Sequence, residues 1–178
     1  MNKTVSRSLF CASSLLLVLA IPLQSQIPAP EVSLAVGAMQ FDASGTGTVP
    51  VIALRGAIPL ASSWILGEGN FSYASLDEQN GVGTRVGVAE GQVQFQLPSY
   101  RIRPYMGLGG GWLHYFTNAG TRETTSPTVS VAAGLRARLS GRFGASAELR
   151  VRTWRYGGQS AGFGNSAAEW TAGTTYSF

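Results

Sequence analysis

The sequence has 178 residues, enough for one domain, and combines a formal charge of +4 with only 12% charged residues and 23 glycines. Its sole lysine is Lys3, which excludes an ordinary surface of lysine and glutamate; something other than water must cover much of the protein. The basic balance invites a nucleic-acid role, and the placement of the arginines decides that question below.

In chain order, the first element is a targeting segment. Lys3 and Arg7 precede an apolar run at 9–23 (LFCASSLLLVLAIPL), and Gln24, Ser25 and Gln26 follow it. This is the layout of a secretory signal peptide, assigned to residues 1–25, with a single domain at 26–178. A membrane-anchoring helix is the alternative, but the run falls short of the roughly 20 residues that cross a bilayer, and Pro22 sits near its end. The only cysteine, Cys11, lies within it, after a Phe10 too bulky for a lipoprotein cleavage site. The mature chain is expected to have no thiol chemistry. It retains eleven arginines, nine acids and no lysine.

Eight alternating segments follow, at about 31–41, 51–58, 64–75, 86–97, 103–116, 128–139, 143–156 and 168–178. Their period of two predicts strands, and no segment has a helical period. The connections alternate in length. Those after the first, third, fifth and seventh strands are long and polar or glycine-rich (DASGTGTVP, LDEQNGVGTR, TNAGTRETTSP, GGQSAGFGNSA), while PLASS, PSYRI and SGR are short. Long loops thus gather at one end of an up-and-down sheet and tight turns at the other. Pairing of the first and last strands would close an all-β, eight-stranded antiparallel barrel without edges.

Alternation does not say which face points inward; the content of the faces does. In the sixth strand Val129, Val131, Ala133, Leu135, Ala137 and Leu139 oppose Ser130, Ala132, Gly134, Arg136 and Arg138. In the seventh, Phe143, Ala145, Ala147, Leu149 and Val151 oppose Gly144, Ser146, Glu148, Arg150 and Arg152. The fourth sets Gly91, Val93, Phe95 and Leu97 against Glu90, Gln92, Gln94 and Gln96, and the second and third add Arg55 and Glu68 to the polar set. A soluble barrel would turn its charges to water and have no need to balance them. A transmembrane barrel of eight strands must fill a narrow interior with groups that satisfy one another. Arg55, Arg136, Arg138, Arg150 and Arg152, facing Glu68, Glu90 and Glu148, are the expected filling.

Aromatic residues support that orientation. Phe41, Phe71, Tyr73, Tyr115 and Trp170 lie near the loop ends, and Tyr105, Phe143, Tyr176 and Phe178 near the turn ends, as two interfacial belts would require. Trp64, Trp154 and Tyr156 fall on the lumen side by parity, which calls for a bulge or a plugged end.

The last strand, AEWTAGTTYSF, directs Trp170, Ala172, Thr174, Tyr176 and Phe178 to one face. With this ending, and with RIRPYMGLGGGW at 101–112, the chain resembles the small OmpA-like and OmpX-like outer-membrane barrels of bacteria with two membranes. The resemblance implies a cell outer-membrane location with extracellular loops and periplasmic termini. It implies membrane lipid and lipopolysaccharide as surroundings, and periplasmic chaperones and the barrel-assembly machinery as partners, the latter reading Tyr176 and Phe178. It also implies a monomer. The chain stops at Phe178 and shows no peptidoglycan-binding domain, so a cell-wall tether is not implied.

Chemistry along the strands is sparse. Enzymes that modify lipid A exist on this fold, and a deacylase would place a serine two residues from its histidine. The sole histidine is His114, and Phe116 stands at that place. One histidine and dispersed acids offer no metal-ligand spacing, and LGGGW at 108–112 has no Lys-Ser or Lys-Thr to make a phosphate loop. No cofactor is expected. Alternate spacing in RARL and RVRTWR aims the arginines into a lumen and away from a nucleic acid. The expectation is a non-enzymatic barrel serving envelope integrity, or adhesion or defence through its loops. A narrow channel is the alternative, and a lipid A-modifying enzyme a distant one.

Overall fold

The computed structural model describes residues 29–41, 47–79, 82–97, 101–117, 124–154 and 165–178. The expected signal peptide at 1–25 and Tyr156 lie outside the described residues. Eight strands are present: β1 (Glu31–Phe41), β2 (Thr48–Ser62), β3 (Ile65–Gln79), β4 (Val82–Gln96), β5 (Ile102–Thr117), β6 (Thr124–Ser140), β7 (Phe143–Trp154) and β8 (Asn165–Ser177). Each pairs antiparallel with its sequence neighbours, and β1 pairs with β8 from Glu31↔Ser177 to Phe41↔Ala167, closing the barrel. No strand keeps an unpaired edge.

Most strands outrun their expected limits, because the ladder continues through polar stretches that read as loop. Thr48 to Pro50 pair with β1, and Ser75 and Leu76 with Arg85 and Thr84. Past the apolar stripe the backbone still needs partners, and the neighbouring strand supplies them. Strand prolines sit where the ladder on one side has ended or slipped: Pro50 precedes the first β2–β3 pair, Pro127 precedes the first β6–β7 pair, and Pro59 opens a register shift. A proline there removes no inter-strand hydrogen bond. The β6–β7 turn places Gly141 at φ 52°, a conformation that suits a residue without Cβ.

Side chains alternate strictly about this wall. In β1, Glu31, Ser33, Ala35, Met39 and Phe41 are buried inside, while Val32, Leu34 and Val36 face outward. The outward set continues with Ile52, Leu54, Phe71, Leu108, Val129, Leu135, Leu149 and Trp170, an exposed aliphatic and aromatic belt around the barrel. Arg55, Glu68, Glu90, Arg150 and Arg152 are buried on the opposite face. The molecule is therefore apolar outside and charged inside, the reverse of a soluble barrel.

Candidate functional site

Among the described residues, chemistry-bearing side chains from all eight strands converge in the lumen. At its centre Arg150 of β7 directs Nη1 to Glu90 Oε2 (2.9 Å) and Nη2 to Glu68 Oε1 (3.1 Å), and it also lies 3.0 Å from Glu148 Oε1. Arg55 of β2 lies 3.1 Å from Glu148 and 3.4 Å from Glu169, and donates to Asn70 Oδ1 and Thr171 Oγ1. Arg152 joins Glu90 (3.1 Å) to Glu169 (2.6 Å). Arg136 pairs with Glu68 at 2.6 Å and donates to Gln94. At the turn end Glu31 accepts from Arg103 and lies 3.6 Å from Arg136.

Tyr105 belongs to the same network. Its hydroxyl donates to Glu148 Oε2 at 2.7 Å, and its ring lies 4.4 Å from the Arg136 guanidinium carbon. The ring lies over Gly134, its cross-strand partner; a Cβ there would come within 2.5 Å of the phenol. Among the described residues, five guanidinium groups thus meet five carboxylates, and forked arginine geometry lets one cation serve several anions.

Toward the loop end the filling changes character. Met39, Val51, Val88, Leu113 and Trp154 pack into an apolar cluster, with Phe41 edge-on to Trp154 at 6.1 Å between ring centres. The interior is therefore stacked in two layers, an ionic one from the turn end to mid-barrel and an apolar one beneath the loops. An eight-stranded barrel has room for side chains and little else. No group of three or more His, Cys, Asp or Glu among the described residues is arranged to hold a metal ion.

No family model matches the sequence, and no curated protein matches it. Solved structures do. Neisserial surface protein A (NspA) superposes with a TM-score of 0.67 at 11% identity, covering 84% of this chain and 97% of that one. Ail, the attachment invasion locus protein of Yersinia pestis, gives 0.59 at 12% identity, covering 86% and 100%. The outer membrane enzyme PagL gives 0.52 at 16%, covering 83% and 99%. The fold is that of a small outer-membrane β-barrel.

In this barrel seven of the eight sequence-derived lumen residues come together: Arg55, Glu68, Glu90, Arg136, Glu148, Arg150 and Arg152. Arg138 does not. It shares their parity, yet it lies at the last rungs of β6, past the ionic layer, and its side chain is exposed at the turn rim. Three members escaped the sequence reading: Glu31, Arg103 and Glu169. Charge balance was the available signal, since five arginines against three glutamates cannot neutralise, and Glu169 already alternated with the outward Trp170.

The aromatic belts need correction as well. Phe41 and Tyr105 are buried in the lumen, and Tyr115 packs against the apolar cluster. Parity overrides their height on the strand, because each sits on the inward series. Phe71, Trp170, Phe143 and Phe178 do face outward, joined by Trp112, and Phe143, Tyr176 and Phe178 form successive edge-to-face pairs. Trp154 is buried within, as parity suggests. Trp64 is not: it stands in the β2–β3 turn, half exposed and 6.0 Å from the outward Phe95 ring. On the outer wall His114 Nδ1 lies 2.7 Å from Thr125 Oγ1, and its ring meets Phe116 edge-on at 4.3 Å.

Proposed function

We propose that the protein is a non-enzymatic, integral outer-membrane barrel that serves the envelope as a structural element or presents its loops for adhesion or defence, and that it does not conduct. The observation that carries this reading is the inverted polarity: an exposed apolar belt surrounds a lumen in which arginines and glutamates neutralise one another. Hydrocarbon can cover the belt without stranding a polar group, whereas water would leave that apolar area exposed at a hydrophobic cost. A continuous water column through the barrel would have to pass both the ionic layer and the apolar cluster around Trp154. Similarity in fold to NspA and Ail supports the outer membrane as the site and surface-exposed loops as the working part.

In this reading lipid and lipopolysaccharide are the surroundings, the loops face outward and the termini lie in the periplasm. The assembly machinery would read Tyr176 and Phe178, and the barrel would work as a monomer. Cell fractionation, followed by comparison of boiled and unboiled samples on gels, tests the location; a folded, heat-modifiable band in the outer-membrane fraction is the expected result. Purified protein in planar bilayers should show no reproducible single-channel openings. Steady openings would favour the channel instead, and hydrolysis of labelled lipopolysaccharide lost in His114→Ala would favour the enzyme.

A further inference from the structure

The turn end of β5 and β6 repeats one arrangement twice, and the second time an anion is missing. Arg103 and Arg136 stand directly opposite each other on the two strands, and Glu31 from β1 answers both. Two rungs nearer the rim, on the same face, Arg101 stands opposite Arg138, closed by a backbone hydrogen bond from Arg138 N to Arg101 O at 2.9 Å. Side chains on such a rung start about 5 Å apart, and like charges there repel. Both arginines are exposed, and no acid among the described residues pairs with either. Arg142, in the adjoining β6–β7 turn, adds a third guanidinium, which donates to the Tyr176 hydroxyl at 3.3 Å. In the sequence the other four acids, Asp42, Asp77, Glu78 and Glu123, are all distant from Arg101 and Arg138: Asp42 follows β1, Asp77 and Glu78 belong to the last residues of β3, and Glu123 precedes β6.

We infer that the Arg101–Arg138 rung binds the phosphate of an anionic phospholipid, which takes the place that Glu31 holds two rungs inward on the same face. Two forked guanidinium groups can each give a charge-assisted pair of hydrogen bonds to one phosphate. The ligand's other half follows from the surroundings. Ile102 and Leu139, next to these arginines in the chain, point to the outer wall, and Phe143 stands opposite Ser140 at the adjoining turn; each is more than half exposed, so a headgroup held at the rim can lay its acyl chains against hydrocarbon. A soluble anion would gain nothing from that flank. The inference rests on the membrane reading above.

The test uses the mature protein in mixed micelles of phosphatidylglycerol and phosphatidylcholine, with native mass spectrometry to count retained lipids. The wild type should retain phosphatidylglycerol over phosphatidylcholine by about tenfold, and Arg101→Gln/Arg138→Gln should erase the preference. Arg85→Gln, on the outer wall near the loop end, should leave it intact. Equal retention of both lipids by the wild type, or an unchanged preference in the double variant, would overturn the inference. So would displacement of the lipid by millimolar inorganic phosphate, which would mark a site for the free anion. Heat-modifiable mobility of the same samples separates the two ideas: failure to fold with lipid or detergent defeats the membrane reading, whereas a folded barrel without lipid preference defeats only this inference.

Discussion

Arg150 and Glu90 meet across the lumen, Nη1 to Oε2 at 2.9 Å, although they lie on β7 and β4 and are separated by 60 residues in the chain. That contact ties two non-adjacent strands through the barrel interior. It exists only once the barrel has closed, so ionic pairing and closure support each other.

Glu148 makes the first prediction. It faces Arg55, Arg150 and the Tyr105 hydroxyl. Glu148→Ala strands buried guanidinium charge and should cost about 3–5 kcal/mol, whereas Arg85→Ala on the exposed outer wall should stay within about 0.5 kcal/mol. Urea unfolding in detergent micelles, scored by gel mobility, checks both. Equal stability of the two variants would reverse the assignment of inside and outside.

The Arg152–Glu169 pair makes a second. Each single change to leucine takes the shortest ion pair from a buried partner and leaves it a longer one: Glu169 keeps Arg55 at 3.4 Å, and Arg152 keeps Glu90 at 3.1 Å. The double variant Arg152→Leu/Glu169→Leu should therefore be less damaging than the sum of the singles, with a coupling of about 1–3 kcal/mol. A double-mutant cycle from the same unfolding experiment measures it; strict additivity would mean the pair carries no mutual stabilisation.

Leu108 tests the outer face. It points outward near mid-strand at 62% exposure. On a soluble surface Leu108→Arg would be harmless, but on a lipid-facing wall it should cost about 2–4 kcal/mol, and Thr125→Arg near the loop rim no more than about 1 kcal/mol. Refolding yield into lipid vesicles reads the difference.

Trp154 tests the apolar layer. It is buried and packed edge-on to Phe41. Trp154→Ala should destabilise the barrel by about 3–5 kcal/mol through the cavity it leaves. Conductance should stay absent in this variant, because the ionic layer still fills the lumen below; bilayer recordings provide the check.

Strand count, antiparallel order, the alternation of long and short connections, and the outward stripe of β4, β6 and β7 were all legible in the amino-acid pattern. These follow from a period of two and from the contrast between Val–Leu and Arg–Glu stripes, both properties of neighbouring residues. Which side chains pair across the lumen depends on the closed barrel. Glu31 joined Arg103 because closure of β1 onto β8 fixes the position of β1 in the barrel, while Arg138 was left outside because the ionic layer ends at Arg136, two residues before it. Tyr105 and Phe41 read as interfacial from their positions near strand ends, yet parity turned them inward to Glu148 and Trp154. Height along a strand and the partner across a lumen depend on register between segments far apart in the chain, and no local pattern encodes that register.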